Sequence, residues 1–251
     1  MQHSTLPLVS IGIPTYHGAE RIPKALRSVL SQPYRNVEVI ISDNASTDRT
    51  EDVCRAFVHK DDRVRYFRQE KNLGVIPNFA YTLSQAKGKY FLWLSDDDEL
   101  IPDVLERYVD FLEAHPDHAL VSGKINYWKD GEFETQESGF TFEGDSALKR
   151  SLGYYAKVRE GAMLYGMMRR EMGQKVPFWP TLGSDWHFVA GLAFLGKLRT
   201  LDFVGYNKDK GGLSRDFKNY ARVFGEASIW GHLPFVKIGL DAWKEFMFKN
   251  P

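Results

Sequence analysis

Gly88-Lys89-Tyr90-Phe91-Leu92-Trp93-Leu94-Ser95-Asp96-Asp97-Asp98-Glu99-Leu100 is the stretch on which the fold turns. Tyr90 to Ser95 run without alternating polarity, which predicts a strand buried on both faces of a sheet. Directly after it come Asp96, Asp97, Asp98 and Glu99. Charge that dense at the end of a buried strand is costly unless a cation or a ligand neutralises it. Carboxylate oxygens suit Mg²⁺ or Mn²⁺, which take the rest of their shell from water and phosphate oxygens. The competing reading is an acidic loop that caps the next helix, with Pro102 just inside its first turn.

The strand has company on its N-terminal side. Leu8 to Pro14 is a short apolar strand stopped by proline, and Ala19 to Ser31 carries Ile22, Leu26, Val29 and Leu30 at helical spacing. Val37 to Ser42 is a second strand ending at Asp43-Asn44, and Ser46-Thr47-Asp48 offers capping residues for a helix to about Val58. Val64 to Arg68 is a third strand, and Asn72-Leu73-Gly74 turns into a helix from Pro77 to Ala86. Such alternation predicts a mostly parallel sheet with helices on both faces. Ligands of such sheets bind beyond the carboxyl ends of the strands. Pro14-Thr15, Asp43-Asn44 and the aspartates after Ser95 all fall on that rim. A nucleotide with its metal explains the convergence economically.

After Asp98 the pattern changes. A helix from Asp103 to Ala114 precedes a strand from Ala119 to Trp128, a turn at Lys129-Asp130-Gly131 and an antiparallel return over Glu132 to Phe142. Gly144 to Leu152 reads as a short helix, and Gly161 to Arg170 as a glycine-punctuated strand where another backbone approaches. Phe178 to Gly183 is an aromatic loop, Ser184-Asp185 opens a helix to Leu195, and Leu198 to Val204 is a last strand. Lys208 to Gly212 reads as the most loop-like segment, and Tyr220 to Phe248 as helical in parts.

Composition narrows the function classes. The chain has 251 residues with 33 Lys+Arg against 33 Asp+Glu. Without a basic surplus, no nucleic-acid partner is expected. The single cysteine, Cys54, excludes an intramolecular disulfide and any cysteine-rich zinc spacing. No apolar run approaches the ~20 residues of a membrane span, and no basic-then-apolar leader opens the chain. A soluble cytoplasmic protein is the expectation.

Taken in order, these motifs resemble the inverting nucleotide-sugar glycosyltransferases of family 2, which have the GT-A fold. The resemblance runs from Leu8 to about Leu213. It rests on Val9 to Tyr16, Ile40 to Thr50, Asn72-Leu73-Gly74, Ala86 to Tyr90, Ser95 to Asp98 and Gly183 to Trp186. It implies a GT-A domain over 1–215, with a nucleotide-binding half at about 8–100, a smaller antiparallel acceptor half at 101–215, and a helical extension over 216–251. By the resemblance, Pro14, Thr15 and Tyr16 line the nucleoside pocket, Asp43 accepts from the base, and Asp96 contacts the ribose. Asp97 or Asp98 binds Mn²⁺ or Mg²⁺; the sequence leaves that one-residue choice open. Asp185 is the expected base that deprotonates an acceptor hydroxyl during a single inverting displacement. Trp179 and Trp186 flank it as sugar-stacking or core residues.

The resemblance further implies a UDP-sugar as the first donor to test, and a glycan or lipid-linked glycan acceptor in surface polysaccharide assembly. Two other classes compete. A nucleotidyltransferase would carry a glycine- and lysine-rich loop after the first strand, which Pro14 to Ala19 lacks. A non-catalytic nucleotide-sugar binding module would not need Asp185. The sequence also departs from the family. Pro77-Asn78-Phe79-Ala80 replaces a common Ala-Arg-Asn, leaving Asn78 as the polar contact, and Ser184 replaces a glutamate. Tyr206-Asn207-Lys208-Asp209 stands where relatives show Tyr-Arg-x-His. Lys208, Lys210 and Arg215 are therefore read first as solvated loop charges and second as diphosphate contacts. The apolar stripe from Ile229 to Phe248, set beside Lys237, Lys244 and Lys249, suits packing onto the domain or peripheral contact at the inner face of a membrane.

Overall fold

The computed structural model of the chain describes residues 6–158, 161–181 and 183–209. The first half runs β1 (Val9–Thr15), α1 (Ile22–Leu30), β2 (Val37–Asp43), α2 (Thr50–Val58), β3 (Val64–Arg68), α3 (Val75–Ser84) and β4 (Tyr90–Trp93). The second half runs β5 (Glu99–Leu100), α4 (Val104–Ala114), β6 (His118–Lys129), β7 (Glu132–Glu137) and α5 (Ala147–Lys157). A 3₁₀ turn over Ala162–Tyr165 leads to β8 (Met167–Arg169), α6 (Arg170–Gly173), α7 (Ser184–Leu195) and β9 (Lys197–Asp209).

All strands join one sheet in the order β3-β2-β1-β4-β8-β6-β9-β5, with β7 paired to β6. β1 to β4 are parallel, as are β6 and β9. β8 runs antiparallel to both β4 and β6, and β7 and β5 are antiparallel to their neighbours. The architecture is α/β with a mostly parallel sheet, and the antiparallel strands all follow β4.

Alternation along the strands explains why helices cover both faces. Ile11, Val39 and Leu92 meet α1, α2 and α4 through Leu26, Val29, Cys54 and Leu105. Ile40, Phe91 and Trp93 point the other way, to α3, α5 and α7 through Leu83, Tyr154 and Phe188. Each of these side chains is buried, and each removes roughly 1.5–3 kcal/mol worth of apolar surface from water.

The far half departs from the sequence expectation in three places. Within Gly161 to Arg170, Ala162–Tyr165 is a 3₁₀ turn and only Met167–Arg169 pairs as a strand, because β8 fills a short gap between β4 and β6. Close backbone approach at a glycine does hold there, since a Cβ on Gly166 would lie 2.6 Å from the Val121 carbonyl oxygen. β9 runs on past Val204 to Asp209, so Lys208 and Asp209 are strand residues and not loop residues. Its pairing with β6 jumps from Ser122↔Thr200 to Lys124↔Val204, a bulge that bends the strand. Beyond the bulge, Tyr206 and Asn207 pair with Leu100 and Glu99 of β5, an element too short to read from sequence. The expected segment 220–248, Lys210 and Arg215 lie outside the described residues.

At the opposite edge of the sheet a buried carboxylate fixes the turn into β4. Glu38 accepts from Ser10 Oγ at 2.6 Å, Lys87 N–H at 2.7 Å and Arg65 at 2.8 Å. Ser10 Oγ in turn accepts from Gly88 N–H at 2.8 Å. These bonds outweigh desolvation and hold the Glu38 carboxyl below its usual range. A folded-state pKa below the unfolded one contributes stability above the unfolded value and loses it as pH falls toward the folded value. Glu38→Gln should therefore cost about 1–3 kcal/mol near neutral pH. Thermal melts should show the gap between the two proteins narrowing once pH drops below about 4.3. A gap independent of pH would contradict the assignment.

Candidate active site

The strand ends that the sequence places on one rim are joined by side-chain bonds. Thr15 of β1 pairs in register with Asp43 of β2, and Asn44 N–H donates to the Thr15 carbonyl at 2.9 Å. Asn44 Oδ1 accepts from Leu73 N–H at 2.8 Å, and its amide donates to Asn72 Oδ1 at 2.9 Å. Two motifs far apart in sequence thus form one turn pair. Asp48 accepts the Thr50 N–H at 3.1 Å, capping the start of α2.

Asp43 is fully buried and heavily engaged. It accepts from Ser46 N–H at 2.9 Å, from the Tyr66 hydroxyl at 2.6 Å and from Arg68 at 3.0 Å. Asn78 is buried too; it accepts from Ser42 Oγ at 2.6 Å and donates to the Ser42 and Thr15 carbonyls. Both lie beneath the rim. Pro14 is buried in β1, whereas Tyr16 stands in the turn after β1, exposed and stacked on His17 at 4.0 Å between ring centroids.

Beyond β4 the structure gives each aspartate a different environment. Asp96 accepts from Thr15 Oγ1 at 2.5 Å and pairs with Arg21 at 3.1 Å. Asp98 has no exposed side-chain surface. It accepts from the Tyr206 hydroxyl at 2.9 Å, Lys208 Nζ at 3.1 Å and the Asp209 N–H at 2.8 Å, all from β9. Asp97, between them, has no hydrogen bond or ion pair to another residue among the described residues. Burial, then the neighbouring Asp98 charge, pushes its carboxyl up to about 7 against the opposing pull of Lys208.

The dense negative charge is therefore partitioned, with Arg21 offsetting Asp96 and Lys208 offsetting Asp98. Lys208 was expected to be a solvated loop charge. Its side chain is instead only 18% exposed, with Nζ 4.3 Å from the centroid of the Tyr165 ring. A carboxylate left with like-charged neighbours and no partner suits a divalent cation. Among the described residues no cluster of three or more His, Cys, Asp or Glu side chains forms a metal site by itself. The donor set fits an ion that is shared with phosphate oxygens.

Asp185 lies in the first turn of α7, where unpaired backbone N–H groups favour negative charge. A Cβ on Gly161 would collide with its carboxylate, so Gly161 and Asp185 are in contact. From Gly161 the 3₁₀ turn leads to Tyr165, whose hydroxyl lies 3.2 Å from Ser95 Oγ and whose ring packs on Tyr206. That turn rises about 8 Å over its length and links Asp185, through Gly161, to the tyrosine that touches Ser95 ahead of the acidic turn. α7 is seated by Phe188 against Trp93 and by Arg150, which donates to the carbonyls of Ala193, Phe194 and Gly196 at its C-terminal end. Trp186 is half-buried against the core under α7, and Trp179 is half-buried in the preceding loop.

Sequence reading missed Arg21, Tyr165 and Tyr206. Arg21 stands one residue ahead of an amphipathic helix, where an arginine looks like ordinary solvated charge. The tyrosines carry no local signal, since their partners lie 70 or more residues away in the chain.

Residues 10–175 match the family model Glycosyl transferase family 2. The chain is 32% identical over 199 residues to the GalNAc(5)-diNAcBac-PP-undecaprenol beta-1,3-glucosyltransferase of Campylobacter jejuni, covering 75% of this chain and 64% of that one. It is 29% identical over 136 residues to glycosyltransferase GlyG of Streptococcus pneumoniae, covering 54% of this chain and 45% of that one. The chain thus spans less than two thirds of the length of either relative. Among solved structures, S. aureus TarS 1-349 in complex with UDP-GlcNAc gives a TM-score of 0.68 at 18% identity, over 86% of this chain and 64% of that one. Mannosyltransferase PcManGT from Pyrobaculum calidifontis in complex with GDP-Man and Mn²⁺ gives 0.64 at 18% identity, over 99% of this chain and 72% of that one. At that identity the structural likeness speaks to the fold alone, which is the GT-A fold the motifs predicted. The matched model covers most of the chain and the motifs fall within the fold in the expected order: the chain belongs to glycosyl transferase family 2.

Proposed function

We propose that the protein transfers a sugar from a nucleoside diphosphate to an acceptor hydroxyl with inversion at the anomeric carbon. The observation that carries this reading is the acidic turn after β4. Asp96 and Asp98 are neutralised by protein cations there, while Asp97 has no hydrogen-bond or ion-pair partner among the described residues. Asp97 would hold Mn²⁺ or Mg²⁺ together with the donor's diphosphate, and such an ion offsets charge on a departing diphosphate. Of the adjacent aspartates Asp97 suits this role, because the oxygens of Asp98 are taken up by β9. Asp96 and Tyr16 face the donor nucleoside, supported from below by Pro14, Thr15, Asp43 and Asn78. Asp185 takes the proton from the acceptor hydroxyl as its oxygen bonds to the anomeric carbon and the bond to the diphosphate breaks. Trp179 and Trp186 stand beside that base on the acceptor side.

UDP is the proposed nucleotide, in line with the UDP-GlcNAc complex of the TarS neighbour, and GDP is the alternative that PcManGT raises. A glycan or lipid-linked glycan acceptor in surface polysaccharide assembly is the proposed setting, supported by the Campylobacter relative, whose name specifies an undecaprenol-linked substrate. No helix among the described residues is long and apolar enough to cross a membrane. Peripheral contact with a lipid-linked acceptor at the cytoplasmic face of a membrane is part of this proposal.

A thermal-shift series with UDP, GDP, CDP and dTDP, each with and without Mn²⁺, tests the donor. Ligand at a hundredfold excess over Kd adds about 2.7 kcal/mol, so UDP with Mn²⁺ should raise Tm by about 5–10 °C. No shift with any nucleotide would remove the donor assignment.

The neighbouring aspartates should behave oppositely. Asp98→Asn removes a charge that a buried lysine depends on and should lower Tm, by about 3 kcal/mol or more in stability. Asp97→Asn relieves repulsion, so it should leave Tm unchanged or higher while abolishing the Mn²⁺-dependent part of the nucleotide shift. Equal loss of stability in both variants would refute the division of roles.

Asp185→Asn should reduce sugar transfer or slow donor hydrolysis by about 10²–10⁴-fold. Nucleotide-dependent stabilisation should persist in that variant. Retained turnover would exclude Asp185 as the base.

A further inference from the structure

We propose that Arg21 is a positioning residue that sets donor affinity by tying the turn after β1 to Asp96; this rests on the donor-site reading above. Its guanidinium forks across Asp96, with Nε donating to Oδ1 at 3.3 Å and Nη2 to Oδ2 at 3.1 Å. The same group donates through Nη1 to the His17 carbonyl at 3.1 Å and through Nη2 to the Tyr16 carbonyl at 3.3 Å. One planar cation therefore fixes both a carboxylate of the acidic turn and the backbone that carries the exposed Tyr16 ring.

The rest of the turn is built around that contact. His17 N–H donates to Ser46 Oγ and Gly18 N–H to Thr50 Oγ1, each at 2.9 Å, which sets the outer side of the turn against the start of α2. On the inner side, a Cβ on Gly18 would strike both Thr15 Oγ1 and Asp96 Oδ2, so the backbone lies directly on the carboxylate. His17 itself holds a φ of 50°, a left-handed conformation that needs such external support. Without Arg21, Asp96 keeps only Thr15 as a side-chain hydrogen-bond partner among the described residues, and the carbonyls of Tyr16 and His17 lose their common tether.

Arg21 contributes little to the fold by comparison. Its side chain is 46% exposed, and α1 packs through Ile22, Ala25, Leu26 and Val29. Lysine cannot replace it, because an ammonium is a point donor and cannot span a carboxylate edge and two carbonyls at once.

The test is UDP binding by calorimetry with Mn²⁺ present, together with donor hydrolysis kinetics, on wild type, Arg21→Ala and Arg21→Lys. Loss of a charge-assisted contact should raise the UDP Kd and the donor KM by about 10- to 100-fold in Arg21→Ala. The kcat at saturating donor should stay within about twofold, the mark of lost ground-state positioning. Millimolar guanidinium should restore part of the affinity in Arg21→Ala and leave wild type unchanged, whereas Arg21→Lys should recover little. UDP affinity in Arg21→Ala within about twofold of wild type, or a fall in kcat with KM unchanged, would overturn the inference. Should Arg21→Ala fail to fold, Arg21→Lys carries the same comparison, and wild-type affinity in it would overturn the inference equally. If wild type itself binds no nucleoside diphosphate, the donor-site reading falls and this inference falls with it.

Discussion

The Asp98 carboxylate, out of solvent in the turn after β4, ties that turn to the last strand of the sheet. Its partners Tyr206, Lys208 and Asp209 all come from the last strand, more than a hundred residues away. Burying an ammonium and a carboxylate together costs desolvation on both sides, and the pair is tolerable only because added hydrogen bonds satisfy the remaining lone pairs. Here the Tyr206 hydroxyl and a backbone N–H supply them. The β5–β9 pairing and the bulge that bends β9 across β6 both serve to deliver those partners. The contact therefore determines both where the sheet closes and which carboxylate remains available at the rim.

That closure gives the acidic turn its division of labour. Adjacent carboxylates repel, and each could be expected to resist ionisation in a half-buried setting. Arg21 on one side and Lys208 on the other remove the conflict for Asp96 and Asp98, and concentrate what is left on Asp97. Tyr165 touches Ser95, Tyr206 and the Lys208 ammonium, and the 3₁₀ turn before it begins at Gly161, against Asp185. A single chain of contacts thus runs from the acidic turn after β4 to the first turn of α7.

Much of the near half was legible because its signals are local. Unalternated apolar runs at Val9–Thr15, Val37–Asp43 and Tyr90–Trp93 became strands buried along their whole length. The Asp48 cap and the Asn72-Leu73-Gly74 turn formed where turn chemistry placed them. The far half was read less well. β5 is too short to leave a pattern, and Gly161 to Arg170 shares its composition with a strand while folding as a 3₁₀ turn followed by a three-residue strand. Lys208 illustrates the general difficulty. Its sequence neighbours are charged and glycine-rich, so it reads as solvated, and only the return of β9 to Asp98 buries it.

By itself the amino-acid sequence determined the α/β alternation, the rim to which the polar strand ends belong, and the family through ordered motifs. Those features follow from residue spacing along the chain, which tertiary contacts only reinforce. Only the tertiary structure sets Asp97 apart from Asp98, because adjacent aspartates differ only in what packs against them, and β9 takes up the oxygens of Asp98. It likewise singled out Arg21, whose geometry toward Asp96 and the Tyr16–His17 carbonyls is a property of three dimensions. Charge partition depends on distances between residues remote in sequence, and no local pattern encodes those distances.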